Sequence, residues 1–322
     1  MPWIKSVDIK RSPEEIYVVS NVGLSYGDYL MLTPLFRGLK QKYDSTDIIF
    51  ASEIDEELNI LSGNPYISSI IDFDVFLEMY KGGRNIFNAV FDGVYQIPSI
   101  IKDDIFKHTN SYKAYCEDAE VTPLSYIPDY FLQPKEKEDA SCLLNNNGIQ
   151  EKEYIFIQTE ASSPIRNWHP KNVKELAFRL AETNKVVLVG AYPKWFSEFD
   201  FQHDNILHLV GKTSVRNACA ILSMAKLVVC PDSLFAHISG ALGVNCLVLM
   251  SSFPAELRYS YMPTVQALQK KFSCAPCMLH NIDCCKNGSN LQADEDGNHY
   301  SMPCMLSIGV DEVCKVVEDL LT

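Results

Sequence analysis

The residues Lys226 to Met250, KLVVCPDSLFAHISGALGVNCLVLM, limit the possible folds more than any other stretch. Leu227–Cys230 is a short apolar run rich in β-branched residues, which reads as a buried strand. Pro231, Asp232 and Ser233 stand where a turn and a helix N-cap belong. Phe235, Ile238 and Leu242 then recur at helical spacing, and Gly243 supplies the stop. A second buried strand, 244–250, follows at once. Strand, helix and strand in about two dozen residues form the unit of a parallel sheet covered by helices. A helix that starts just past a strand's C-terminal end turns its free N–H groups toward the crevice where such sheets take ligands. Asp232, Ser233 and His237 would gather at that mouth. Asp or Ser before a helix also serves as a plain cap, and the spacing leaves both roles open.

The same alternation recurs along the chain. Ile16–Ser20, Ile48–Ala51 and Ile67–Phe73 read as strands, with a helix over Tyr29–Tyr43 that puts Leu32, Leu35, Phe36 and Leu39 inward and Arg37, Lys40 and Lys42 outward. A short helix is expected over Asp55–Leu61, and a further strand near Ala89–Val94. Tyr112, Tyr115 and Cys116 share a helix face with His108, a face more suited to core than to ligand. Pro123, Pro128 and Pro134 with the charged run 135–139 read as extended chain, and a domain boundary is expected near Gly148. Strands at Tyr154–Gln158, Lys185–Val189 and Ile206–Val210 then alternate with helices at Lys171–Thr183, Ser214–Ala225 and Val310–Leu321. The fold class is α/β, in two domains, 1–150 and 151–322.

The acidic balance excludes some functions. With 28 basic and 41 acidic residues the net charge is −13, which argues against a general nucleic-acid binder and against broad attraction to anionic membrane. No apolar run approaches the roughly 18–20 residues of a membrane span. The N-terminal stretch 1–15 has no apolar h-region, so no secretory leader is expected. The eleven cysteines therefore read as reduced and cytoplasmic.

Three further constellations bear on chemistry. Ser25-Tyr26-Gly27-Asp28 sits at a strand-to-helix turn, where Asp28 serves either the helix dipole or an acceptor hydroxyl as general base. Ser162–Trp168 puts Arg166 beside small hydroxyl residues in a loop after a strand. Its guanidinium fork suits a diphosphate, and equally a solvated surface. Cys274-Ala-Pro-Cys277, Cys284-Cys285 and Cys304 lie in a polar excursion, 274–304. Their spacing matches four thiolates around zinc or iron, with Cys285 or Cys284 as the third ligand, and free thiols or disulfides as the alternatives.

The pieces 27–39 (GDYLMLTPLFRGL), Gly63-Asn64-Pro65, 166–170 (RNWHP) and 231–237 (PDSLFAH) occur in this order. Together they resemble glycosyltransferase family 9, the heptosyltransferases, over nearly the whole chain. The resemblance implies a GT-B fold: two Rossmann-like domains facing each other across a cleft, the acceptor on 1–150 and the nucleotide-sugar donor on 151–322. It implies an inverting transferase moving a heptose-like sugar from a nucleotide-diphosphate donor, an ADP-sugar being favoured. The acceptor would be a hydroxyl of a glycan, of a lipid-linked lipopolysaccharide-type molecule or of a protein, and catalysis would use no cofactor or metal. Asp28 falls at the family's base, and Arg166 at a donor-phosphate contact where the family commonly has Lys. Asp232, Ser233, Leu234, Phe235 and His237 fall on the donor-binding turn, with Leu234 where the family usually has Gly. Glu198 matches an acidic residue that touches the nucleoside. Relatives that modify autotransporter proteins carry a similar cysteine group binding iron, which implies a structural zinc or iron on Cys274, Cys277, Cys285 and Cys304. A cytoplasmic enzyme, at most peripheral to the inner membrane, is expected. The competing readings are a non-catalytic sugar-nucleotide-binding protein and a nucleotide-sugar epimerase on the same frame.

Overall fold

The computed structural model describes residues 16–20, 25–43, 47–52, 57–75, 78, 89–90, 109–118, 121–191, 201–279 and 302–322. The chain divides into two compact units, 1–131 and 132–322. In the first lie β1 (Ile16–Ser20), α1 (Tyr26–Met31), α2 (Thr33–Lys42), β2 (Asp47–Ser52), β3 (Ser69–Asp72), β4 (Ala89–Val90) and α3 (Ser111–Asp118). Its strands pair in parallel in the order β3-β2-β1-β4.

The helix expected over 29–43 is two helices. Pro34 has no N–H to continue a ladder, so Leu32 caps a new start and α2 begins beyond it. The Thr33 hydroxyl takes up the slack by donating to the Leu30 carbonyl at 2.8 Å. Leu35, Phe36 and Leu39 are buried as the spacing requires, and Phe36 meets Phe50 of β2 edge-on at 5.3 Å. Arg37, expected outside, is instead enclosed, paired with Asp129 and donating to the Ile127 carbonyl at 2.9 Å. Tyr112, Tyr115 and Cys116 are core residues; His108 lies outside the described residues.

The second unit holds α4 (Pro134–Asn146), β5 (Tyr154–Gln158), α5 (Pro170–Ala181), β6 (Lys185–Val189), β7 (Ile206–His208), α6 (Val215–Ser223) and β8 (Leu227–Pro231). It continues through α7 (Leu234–Leu242), β9 (Cys246–Met250), α8 (Ala255–Tyr259), β10 (Val265–Gln269), α9 (Pro303–Leu306) and α10 (Val310–Leu321). The stretch read as extended chain near Pro134 is the helix α4. Pro134 occupies its first turn, where a missing N–H costs nothing, and Gln133 and Glu136 form a capping box around it. Arg216 of α6 pairs with Glu136, which ties α4 to the second unit.

All six strands of this unit run parallel, in the order β7-β6-β5-β8-β9-β10. Counted from β5 this is 3-2-1-4-5-6, the doubly wound arrangement, with its switch point between β5 and β8. Alternate residues feed opposite faces: Ile155, Ile157, Val186, Val229 and Leu247 join Leu176 and Val313 in one core, while Phe156 meets Phe235 of α7 on the other at 5.3 Å. Gly243 ends α7 at φ +67°, a conformation that side chains with a Cβ resist.

Gly240 of α7 lets Met262 approach closely. A Cβ on Gly240 would lie 2.2 Å from Met262 Sδ and 3.0 Å from its Cβ. Gly240→Ala would gain about 1 kcal/mol of helix propensity against about 1–3 kcal/mol of overpacking. Net destabilisation is therefore expected, seen as a lower urea midpoint with an unchanged slope.

Candidate functional site

The strand order reverses between β5 and β8, so the loops after these strands diverge and leave a crevice at their C-terminal edge. Gln158 ends β5 and Pro231 ends β8. Across the gap the Ser233 hydroxyl donates to Gln158 Oε1 at 2.5 Å, while Gln158 Nε2 donates to the Glu160 carbonyl at 2.5 Å. Ser233 is the N-cap residue of α7, yet its side chain does not cap the helix. The plain-cap reading therefore does not describe this turn.

Asp232 is 3% exposed, and its Oδ1 accepts the Tyr259 hydroxyl of α8 at 2.5 Å. Burial alone would push this carboxyl up. The Arg258 and Arg166 guanidiniums, His237 and the Tyr259 hydrogen bond outweigh burial and hold it below the ordinary aspartate value. Burial and the neighbouring Asp232 push the Tyr259 phenol far up, so it stays a donor. His237 is buried too, its ring 5.1 Å from that of Tyr259 and tilted by 32°.

Arg166 reaches this turn from the loop after β5, where Pro164–Arg166 form a single 3-10 turn. Its Nη1 donates to the Asp232 carbonyl at 2.7 Å and its Nη2 to Ser162 Oγ at 3.2 Å, while its Nε is buried without a partner. The loop is held at both shoulders, by Ala161 N–H on Asn167 Oδ1 at 2.7 Å and by the Trp168 indole on the Ile308 carbonyl at 2.9 Å. The structure thus brings Arg166, Asp232, Ser233 and His237 together. Leu234 is the first helical residue of α7 and half-buried, whereas Phe235 turns into the core against Phe156.

In the first unit Asp28 stands in the first turn of α1, the helix that follows β1. Its Oδ2 accepts the Ser25 backbone N–H at 3.0 Å and the Ser25 hydroxyl at 2.7 Å, closing a capping box. Its structural role is therefore realised, and it is carried by a single carboxylate oxygen.

Of the cysteines, Cys304 and Cys277 pack with Met302 around Ile165. Burial, then the proximity of Cys274 and Cys277, pushes the Cys304 thiol up. Among the described residues no group of three or more ligating side chains is placed to hold a metal. Cys285 and Glu198 lie outside the described residues.

The sequence reading missed Tyr259, Arg258 and Gln158. A signal existed for the first two. The segment after β9 must leave the sheet on the same edge as the segment after β8, because the two strands are parallel neighbours. No periodicity marks so short a helix as α8.

Fold and site together define a doubly wound α/β protein with a polar turn at the switch point of its second sheet. Residues 120–283 match the model of glycosyltransferase family 9 (heptosyltransferase). The chain belongs to that family and is a glycosyltransferase. Among solved structures, its fold is that of GT-B heptosyltransferases. ADP-heptose LPS heptosyltransferase II of E. coli is 16% identical, with 95% of this chain and 98% of that one covered and a TM-score of 0.65. The family 9 glycosyltransferase of Veillonella parvula is 15% identical over 95% of this chain and 97% of its own, with a TM-score of 0.68. TibC from enterotoxigenic E. coli is a dodecameric iron-containing heptosyltransferase solved with ADP-D-β-D-heptose. It is 13% identical over 98% of this chain and 78% of its own, with a TM-score of 0.62. No curated protein matches the sequence. Among the described residues no helix is long and apolar enough to cross a membrane.

One carboxyl beside the turn is set apart by its environment. Burial pushes Glu160 up to about 7 from an ordinary 4.5. A raised acid favours the protonated folded state, so its ionisation opposes folding increasingly as the pH climbs from about 4.5 to about 7. Glu160→Gln is expected to leave stability unchanged below that window and to raise it above, measured by denaturant melts across the range.

Proposed function

We propose that the second unit binds an ADP-sugar, heptose-like, at the turn 232–237, and that the first unit presents the hydroxyl of a glycan, lipid-linked or protein acceptor. The observation that carries this reading is the meeting of Arg166 with the Asp232–Ser233 turn at the switch point, 2.7 Å from guanidinium to carbonyl. A guanidinium beside a helix start is suited to a diphosphate, because fork geometry matches phosphate oxygens. The ADP-heptose bound in TibC supports the choice of donor.

The reaction is one displacement with inversion. Asp28 takes the acceptor proton as that oxygen attacks the anomeric carbon, and the sugar–phosphate bond breaks with its electrons on the diphosphate. Arg166 and the N–H groups at the start of α7 stabilise the charge that grows there. Asp28 can serve because its Oδ2 alone is spent on the helix cap. Leu234 replaces the small residue expected in the turn, and its half-buried side chain leaves the approach of the diphosphate to the N–H groups of neighbouring residues. The cysteine-rich excursion is assigned a structural zinc or iron whose thiolate set needs Cys285, and no catalytic step runs through it.

Nucleoside diphosphate is expected to appear when both ADP-heptose and acceptor are present, and with neither alone. Asp28→Asn, which keeps an acceptor for the cap, should lower turnover by about 10²–10⁴-fold with ADP affinity unchanged. Turnover of the donor alone would point to an epimerase, and ADP binding without any turnover would remove Asp28 from the mechanism. Elemental analysis of the purified protein should find zinc or iron, diminished in Cys304→Ser. A metal-free chain of undiminished stability would end the structural-metal assignment.

A further inference from the structure

An anion-binding turn that carries its own buried carboxylate holds a contradiction. Asp232 is charged and 3% exposed at the very residue whose carbonyl Arg166 grips. An unrestrained carboxylate there would compete for Arg166 and repel the leaving group. It is restrained from a third element: the hydroxyl of Tyr259, the last residue of α8, donates to Oδ1 at 2.5 Å. The ring behind that hydroxyl is fixed in turn, 4% exposed and tilted over His237. Arg258, one residue earlier, stands on the Phe253 ring at 4.1 Å and adds its positive charge to the field on Asp232.

We propose that Tyr259 is a positioning residue for the donor: by holding Oδ1 of the Asp232 carboxylate it fixes the turn whose carbonyl Arg166 grips, and with it the angle at which the guanidinium meets the diphosphate. The inference rests on the donor-site reading above and goes beyond it, because Tyr259 acts through Asp232 and touches no substrate. The groups that face the carboxylate come from every element around it: Tyr259 and Arg258 on α8, Arg166 on its 3-10 turn, His237 on α7 and Cys230 on β8. The Tyr259 side chain hydrogen-bonds the carboxylate directly.

The test is a double-mutant cycle on ADP affinity, measured by titration calorimetry with the full chain. Tyr259→Phe keeps the ring on His237 and removes one oxygen. It is expected to weaken ADP binding by about 10–100-fold, the scale of a hydrogen bond to a charged group. In an Asp232→Asn background, where there is no charge to hold, the same change should cost less than about twofold. Equal losses in both backgrounds would make Tyr259 a packing residue and overturn the proposal. So would an unweakened Tyr259→Phe, or a Tyr259→Phe chain that no longer folds, since the hydroxyl would then support the whole unit. A wild-type chain that binds no ADP would overturn the donor-site reading first and this proposal with it. Normal wild-type binding with an additive cycle overturns the role of Tyr259 alone.

Discussion

A carboxylate sealed inside a protein must be neutralised or tied down, and the second unit is arranged around one that is tied down. Asp232 stays charged while 3% exposed. Two like charges about 5 Å apart repel by about 3 kcal/mol at an effective dielectric of 20. An anion lodged beside Asp232 therefore needs that charge restrained and countered. The restraint comes from α8 and the counter-charge from Arg258 and Arg166. Tyr259 and Arg258 lie on the segment after β9 and Arg166 on the loop after β5, both at the C-terminal edge of the sheet. A single point of electrostatic tension thus fixes the relative placement of the loops after β5, β8 and β9.

The sheet makes that placement possible. In six parallel strands every strand ends on the same edge, and the reversal between β5 and β8 keeps that edge open at one place. Ser233 and Gln158 face each other there across the reversal, linked by a hydrogen bond. The neighbouring strand β9 delivers α8 to the same edge, so the tyrosine that restrains Asp232 arrives without any long excursion. The site is thus a consequence of strand order as much as of the motif in the opening stretch.

Much of this was legible in the sequence because it is periodic. The run 226–250 specified strand, turn, helix and Gly stop within a residue or so of their places, and α10 was legible in full at Val310–Leu321. Its misses have particular causes. The single helix expected over 29–43 passes over Pro34, whose missing N–H starts a second helix, and the extended reading of Pro134 overlooks the first-turn position where that absence is harmless. Arg37 was placed outside by helix periodicity, but the segment 125–129, distant in sequence, folds over it with backbone carbonyls and a carboxylate. Asp232, Ser233 and His237 are grouped in the sequence because one motif, 231–237, carries them, while Arg166 comes from a second motif, 166–170, and meets them only in the fold. Tyr259 and Gln158 were not foreseen, because their importance lies in tertiary contacts that no local pattern encodes. Phe235, grouped with the turn by proximity in the chain, faces the core because a helix alternates its faces faster than a motif does.

The cysteine-rich excursion gains a physical purpose from what it touches. Its described part packs Cys277, Cys304, Met302 and Phe272 around Ile165, and Ile165 precedes the arginine that grips the Asp232 carbonyl. The Ile165 carbonyl also accepts the Ser251 hydroxyl at 3.2 Å, and Ser252 next to it accepts the Met278 N–H at 2.7 Å. The excursion therefore braces two of the three loops that converge on Asp232. A 3-10 turn as short as Pro164–Arg166 has little ladder of its own to hold a guanidinium at a fixed angle. Packing beneath Ile165 supplies the rigidity that the local backbone lacks. Loosening the excursion would therefore be felt at Arg166 before it is felt in the core of the sheet.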